Sequence, residues 1–97
     1  MTTKQRAYLR SLAVNVNPIF QIGKSSLTAE ITEAISEALE ARELVKINVL
    51  KNCMADINEL AQTLSERTRS EVVQVIGRKI VLYKESKDNK KIMLPNK

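Results

Sequence analysis

Gly23, Lys24, Ser25 and Ser26 put a glycine, a cation and two hydroxyls in four consecutive positions, just ahead of a helical pattern that opens near Thr28. Those residue types suit contact with an anion. Gly23 can take positive φ and keeps no side chain between the backbone and a ligand. Lys24 supplies a mobile positive charge, and Ser25, Ser26 and Thr28 supply hydroxyl donors for phosphate oxygens or a ribose 2′-OH. A helix start adds free N–H groups and the positive end of the helix dipole. The same residues also make an ordinary turn with a Ser or Thr N-cap. The stretch therefore has to be judged by its surroundings.

Other chemistries find little support. The chain has no histidine and one cysteine, which removes the commonest general base and any Cys/His metal set. Ser25 or Ser26 as a nucleophile lacks a base. No enzyme activity, cofactor, metal or small-molecule substrate is expected. Cys53, between a strand and a helix, reads as a passive thiol, and a single cysteine excludes an intramolecular disulfide, so a cytoplasmic setting is expected. No apolar run approaches the ~20 residues of a membrane span, and MTTKQRAYLR lacks a signal peptide's apolar core.

Charge is segregated along the chain. Residues 1–26 carry Lys4, Arg6, Arg10 and Lys24 with no acid, and residues 27–45 carry five glutamates against one arginine. Residues 72–97 carry seven basic residues against two acids, within a net charge of +5. A bipolar molecule with a basic surface for a polyanion follows.

The elements that must position these residues show in the periodicity. Tyr8, Leu9, Leu12, Ala13 and Val16 mark a helix from Thr3 to about Val14, which Asn17-Pro18 ends. Ile19 to Ile22 reads as a short strand. A second helix runs from about Thr28 to Arg42, apolar at Ile31, Ala34, Ile35, Ala38 and Leu39, with Glu30, Glu33, Glu37 and Glu40 opposite. Leu44 to Leu50 alternates as a strand. Asp56 and Glu59 resemble a capping box opening a third helix. Val72–Ile76 and Ile80–Tyr83 form a hairpin about Gly77, Arg78 and Lys79. The order α-β-α-β-α-β-β predicts one α/β domain over residues 1–97, a four-stranded mixed sheet packed with three helices. Residues 85–97 form a basic tail, read as loosely ordered, with Ile92, Met93 and Leu94 able to dock.

Parallel strands with right-handed crossovers would bring strand ends to one sheet edge. That edge should gather the Gly23–Ser26 loop, Lys51, Arg78 and Lys79. The start of the first helix, with Lys4 and Arg6, is expected there too. Ligands of open α/β sheets lie outside such an edge.

Four segments, KQRAYLRSLA, NPIFQIGKSSLT, ALEARELVKINVL and VVQVIGRKIVLYK, resemble the stand-alone bacterial YhbY-type members of the CRM-domain family (chloroplast RNA splicing and ribosome maturation). The resemblance implies a fold similar to the C-terminal domain of bacterial translation initiation factor three. It also implies RNA binding, association with large-subunit ribosomal precursors and a role in their assembly. The family's Gly-x-x-Gly loop falls on Gly23, Lys24, Ser25 and Ser26, with Ser26 in the second glycine's place, which adds a Cβ.

The expected function is thus RNA binding by a monomer, with phosphate contacts from Arg6, Arg10, Lys24, Lys51, Arg78, Lys79 and Lys84 and a loop shaped by Gly23, Ser25 and Ser26. Reversing Lys24 and Arg78 together is expected to abolish binding without unfolding. Tyr8, Phe20 and Tyr83 are too few for a base-stacking platform; Phe20 and Tyr83 suit the core. The alternative is a protein-interaction adaptor using its acidic helix.

Overall fold

Local capping chemistry starts each helix of the computed structural model, which describes residues 1–95. Thr2 and Gln5 form a reciprocal capping box at α1 (Thr3–Ala13), Thr28 accepts the Ile31 N–H at α2 (Ala29–Arg42), and Asp56 accepts the Asn58 and Glu59 N–H groups at α3 (Ile57–Thr68). Between and after them run β1 (Phe20–Ile22), β2 (Leu44–Val49), β3 (Glu71–Ile76) and β4 (Lys79–Tyr83). The observed order is the expected one. Gly77 turns the hairpin at φ 57°, a conformation that costs glycine little. Among the described residues no helix is long and apolar enough to cross a membrane.

The sheet order is β1-β2-β4-β3. β1 and β2 pair in parallel, and β4 runs antiparallel to both β2 and β3. The first three strands therefore point the same way, but β3 is not a neighbour of β2. The α3 crossover lands one strand-width further on, and the hairpin returns β4 into the gap. We call the edge at the C-terminal ends of β1, β2 and β3 the upper edge.

Strand alternation sends residues to two cores. Ile22, Val45, Ile47, Val49, Ile80 and Leu82 face α2 and α3, meeting Ile35, Leu39, Leu60 and Leu64; Phe20 packs against this cluster and Cys53 is buried in it. Leu44, Val73, Val81 and Tyr83 face α1 and bury Leu9 and Ala13. Each large aliphatic side chain fully buried in this way contributes about 1.5–3 kcal/mol.

The structure corrects the placement of α1. Arg6 donates to the carbonyl of Val72, near the start of β3, and Gln5 donates to Pro95 O. The start of α1, with Lys4 and Arg6, therefore lies at the lower end of the sheet, opposite the expected edge. The long link of residues 14–19 lets the helix run along β3 before the chain turns into β1. Helix length alone does not set that direction.

The tail is also more ordered than its composition suggests. Glu43, the single residue between α2 and β2, is fully buried with φ 68°. Its carboxylate accepts the N–H groups of Ser86 at 2.7 Å, Lys91 at 2.6 Å and Ile92 at 2.7 Å. Glu40 accepts from the Ser86 hydroxyl and the Lys87 N–H. Ile92 and Leu94 then pack on the α1 cluster, while Met93 stays exposed. A buried anion holding backbone N–H groups does the work that a regular element would otherwise do. Residues 96 and 97 of the expected tail lie outside the described residues.

Candidate nucleic-acid interface

Three turns meet at the upper edge. Gly23 to Ser26 is closed by the Ser26 N–H donating to the Gly23 carbonyl at 2.9 Å. Leu50 to Cys53 is closed in the same way, Cys53 N–H to Leu50 carbonyl at 3.0 Å. Lys24 and Lys51 each occupy the first central position of a turn, and both are exposed. The third turn is the hairpin at Gly77–Arg78, followed by exposed Lys79.

Backbone contacts fuse the turns. The Leu50 N–H donates to the Ile22 carbonyl at 2.8 Å, and the Val49 N–H to the Arg78 carbonyl at 2.7 Å. Arg78 is half-buried; its Nε donates to Val49 O at 2.9 Å and its Nη2 to Leu50 O at 2.6 Å. A longer Nη2 contact of 3.5 Å reaches Cys53 O. Arg78 thus grips both ends of the turn that presents Lys51. It acts first on the shape of the edge, so reversing it together with Lys24 is expected to lower stability as well as to remove charge. Arg78→Ala is expected to lower stability by about 1–2 kcal/mol, because partly buried carbonyls lose charged donors. Thermal unfolding measures this directly, and an unchanged midpoint would contradict the clamp.

Gly23 does not take the positive φ expected of it, but it lies close to the second turn. A Cβ there would lie 3.2 Å from Asn52 Oδ1 and 3.4 Å from Leu50 Cδ1. The tight contact is with the side chain of Asn52 in the second turn. Positive φ falls instead on Ser26, at 55°. A left-handed backbone costs a side-chain-bearing residue roughly 1–2 kcal/mol, part of which glycine gives back as unfolded-chain entropy. Ser26→Gly is therefore expected to raise stability by up to about 1 kcal/mol; denaturant unfolding showing a loss would refute this.

The other expected contacts are dispersed. Arg10 is exposed on α1, beside the α1-facing side of the sheet near Lys46 and Gln74. Arg6 and Lys84 are at the lower end, where the Lys84 N–H donates to the Glu43 carbonyl at 2.9 Å. The structure thus brings together Gly23, Lys24, Ser25, Ser26, Lys51, Arg78 and Lys79, and sets Arg6 and Lys84 apart. Sequence reasoning missed Asn52, held against Gly23, and Met54, 92% exposed beside the second turn. A long apolar side chain that exposed is a signal only once its position is known. Among the described residues, Lys24, Lys51 and Lys79 have no ion-pair partner. The edge is an array of free cations on short, fixed turns.

A small α/β domain with a four-stranded mixed sheet and cationic turns along one edge is the class that fold and site define. The chain belongs to the CRS1 / YhbY (CRM) domain family, whose model matches residues 1–84. It is 53% identical over 95 residues to the probable RNA-binding protein YqeI of Bacillus subtilis, covering 98% of this chain and 99% of that one. It is 33% identical over 97 residues to an RNA-binding protein of Haemophilus influenzae, covering 100% and 97%. The solution structure of a Staphylococcus aureus protein, described as a candidate RNA-binding protein, superposes with a TM-score of 0.82. That protein is 58% identical, and the match covers 98% of this chain and 99% of the other.

Proposed function

We propose that this protein binds RNA through its upper edge, holding the phosphate backbone with Lys24, Lys51 and Lys79. In this reading Ser25 and the backbone of the Gly23–Ser26 turn approach the sugar-phosphate chain. The observation that carries it is the meeting of two turns, each with a lysine at its first central position that has no ion-pair partner among the described residues. The relatives' names support RNA as the ligand. Phe20 and Tyr83 are engaged in the two cores, so the sheet offers no aromatic stacking platform of the RRM kind, and the contacts of the edge itself are to the RNA backbone.

The RNA is ribosomal, and the protein assists assembly of the large subunit, acting in the cytoplasm as a monomer without catalysis. Crosslinking in cells, followed by sequencing of the attached RNA, tests this. Reads concentrated in large-subunit ribosomal RNA are expected; reads spread over messenger RNA in proportion to abundance would contradict it. The adaptor reading has a smaller surface than the sequence suggests, because Glu40 and Glu43 are engaged with the tail.

A further inference from the structure

α1 covers only the lower part of the sheet face it packs on. Above that cover and along its margin the register brings two rows of side chains to the same side, with Val81 at the centre of the lower row buried under α1. Gln21 pairs with Asn48, Asn48 with Lys79 and Lys79 with Ile76; below them Lys46 pairs with Val81 and Val81 with Gln74. The bulge between Val72 and Gln74 decides the last placement. Regular alternation from the Val72–Leu82 pair would set Gln74 opposite Ile80, in the α2/α3 core. The extra residue sets it opposite Val81, on the α1 side of the sheet, where Gln74 lines the cleft beside the helix end.

This face is built unlike a merely solvated one. Among the described residues, the side chains of Gln21, Lys46, Asn48, Gln74, Lys79 and Arg10 have no hydrogen-bond or ion-pair partner within the chain. No acid stands in either row. A cleft separates the end of α1 from the rows, between Arg10 and Val14 on one side and Lys46, Gln74 and Ile76 on the other. Ile76 is 59% exposed and Val14 77% exposed. The upper row continues into the candidate edge, since Gln21 is two residues from Gly23 and Lys79 belongs to both.

Cations alone would suit any polyanion. Carboxamides add something specific: each offers a donor and an acceptor together, the pattern that matches a base edge. A duplex keeps those edges stacked and paired, whereas an unpaired strand presents them. Exposed aliphatic surface suits an unstacked base and does nothing for a phosphate. We infer that this open sheet face reads unpaired bases of the RNA whose backbone the turn edge holds. The edge would supply affinity without sequence preference, and the face would supply the preference. This inference rests on the RNA-binding reading above.

Selection from a randomised single-stranded RNA pool tests it. The full chain is compared with Gln21→Ala/Asn48→Ala/Gln74→Ala, and with Lys24→Glu/Lys51→Glu as the edge control. The unaltered chain is expected to enrich particular short sequences by about tenfold or more, the discrimination of one good bidentate base contact. The amide variant, folded by circular dichroism, is expected to bind the pool within about threefold of wild type, with unchanged salt dependence, yet to enrich nothing, because no charge is removed. The edge variant should lose affinity for all sequences alike. Should the triple variant not fold, Gln21→Ala and Gln74→Ala singly must each weaken the enrichment. The same enriched sequences in a folded amide variant, or no enrichment by wild type, would overturn the inference while leaving backbone binding intact. Self-association of the wild type that the amide variant abolishes, with RNA selection unchanged, would assign the face to a second copy and overturn it too. Absence of any pool binding by the wild type would remove the RNA reading itself.

Discussion

Replacing Glu43 by alanine is expected to destabilise the protein by about 3 kcal/mol, since three buried or half-buried N–H groups lose a charged acceptor at once. For a domain of this size that is roughly 10–20 °C in unfolding midpoint. The N–H groups of Ser86, Lys91 and Ile92 all point at this one carboxylate. Without it the segment carrying Ile92 and Leu94 is expected to leave the α1 cluster against which it packs. Hydrogen exchange at residues 86, 91 and 92 should accelerate first. Glu43→Gln keeps the shape but offers one acceptor oxygen in place of two, so an intermediate loss is expected. A change below about 0.5 kcal/mol for the alanine variant, the range of ordinary surface substitutions, would show that the carboxylate is not the anchor.

The same anchor predicts acid sensitivity. At Glu40 the Ser86 hydroxyl and the Lys87 N–H hold the carboxyl below its ordinary value. At Glu43 burial pushes the value up, but the three N–H donors outweigh it and the net direction is down. Both groups thus bind protons less readily folded than unfolded. Their contribution is complete above the ordinary carboxylate value of 4.5 and is lost as pH falls below it through the folded values. The tail should release in acid before the sheet unfolds, and Glu43→Gln should flatten this dependence.

Reversing the two turn lysines, Lys24→Glu with Lys51→Glu, is expected to reduce RNA affinity about a hundredfold. Each reversal removes roughly 1 kcal/mol of attraction at a few ångströms in water and adds a similar repulsion, trimmed by salt. Both side chains are exposed and without an ion-pair partner among the described residues, so stability should stay within about 0.5 kcal/mol. Filter binding and thermal unfolding on the same samples separate the two effects. A folded double variant with unaltered affinity would place the RNA elsewhere on the molecule.

Much of the architecture was legible because it follows from local rules. The 3.6-residue spacing of Ile31, Ile35 and Leu39, the alternation of Val45, Ile47 and Val49, and Gly77 between two apolar runs each specify an element with little tertiary help. Asp56 as a cap was legible for the same reason. Long-range contacts were not. Nothing in the spacing of α3 shows that β3 lands one strand away and leaves a gap for β4. The link after α1 permits either helix direction, which is why Arg6 was expected at the wrong end. Glu43 reads as one more acid on an acidic helix, and its burial depends on N–H groups 43 to 49 residues away. Arg78 reads as a surface cation because its carbonyl partners belong to the β2 end. The Gly23–Ser26 turn was legible in outline, but its conformational demands were exchanged between the two ends. The second turn packs close to Gly23, and the left-handed backbone falls on Ser26.

The central claim is that free lysines on rigid turns neutralise RNA phosphates. The most direct test is the salt dependence of wild-type binding to a fragment of large-subunit ribosomal RNA. Three contacts from Lys24, Lys51 and Lys79 predict a slope of roughly −2 or steeper in log K against log salt, at about −0.7 to −0.9 per phosphate. Lys24→Glu/Lys51→Glu should bring that slope close to −1. An affinity that does not change between about 50 and 200 mM salt would contradict the account.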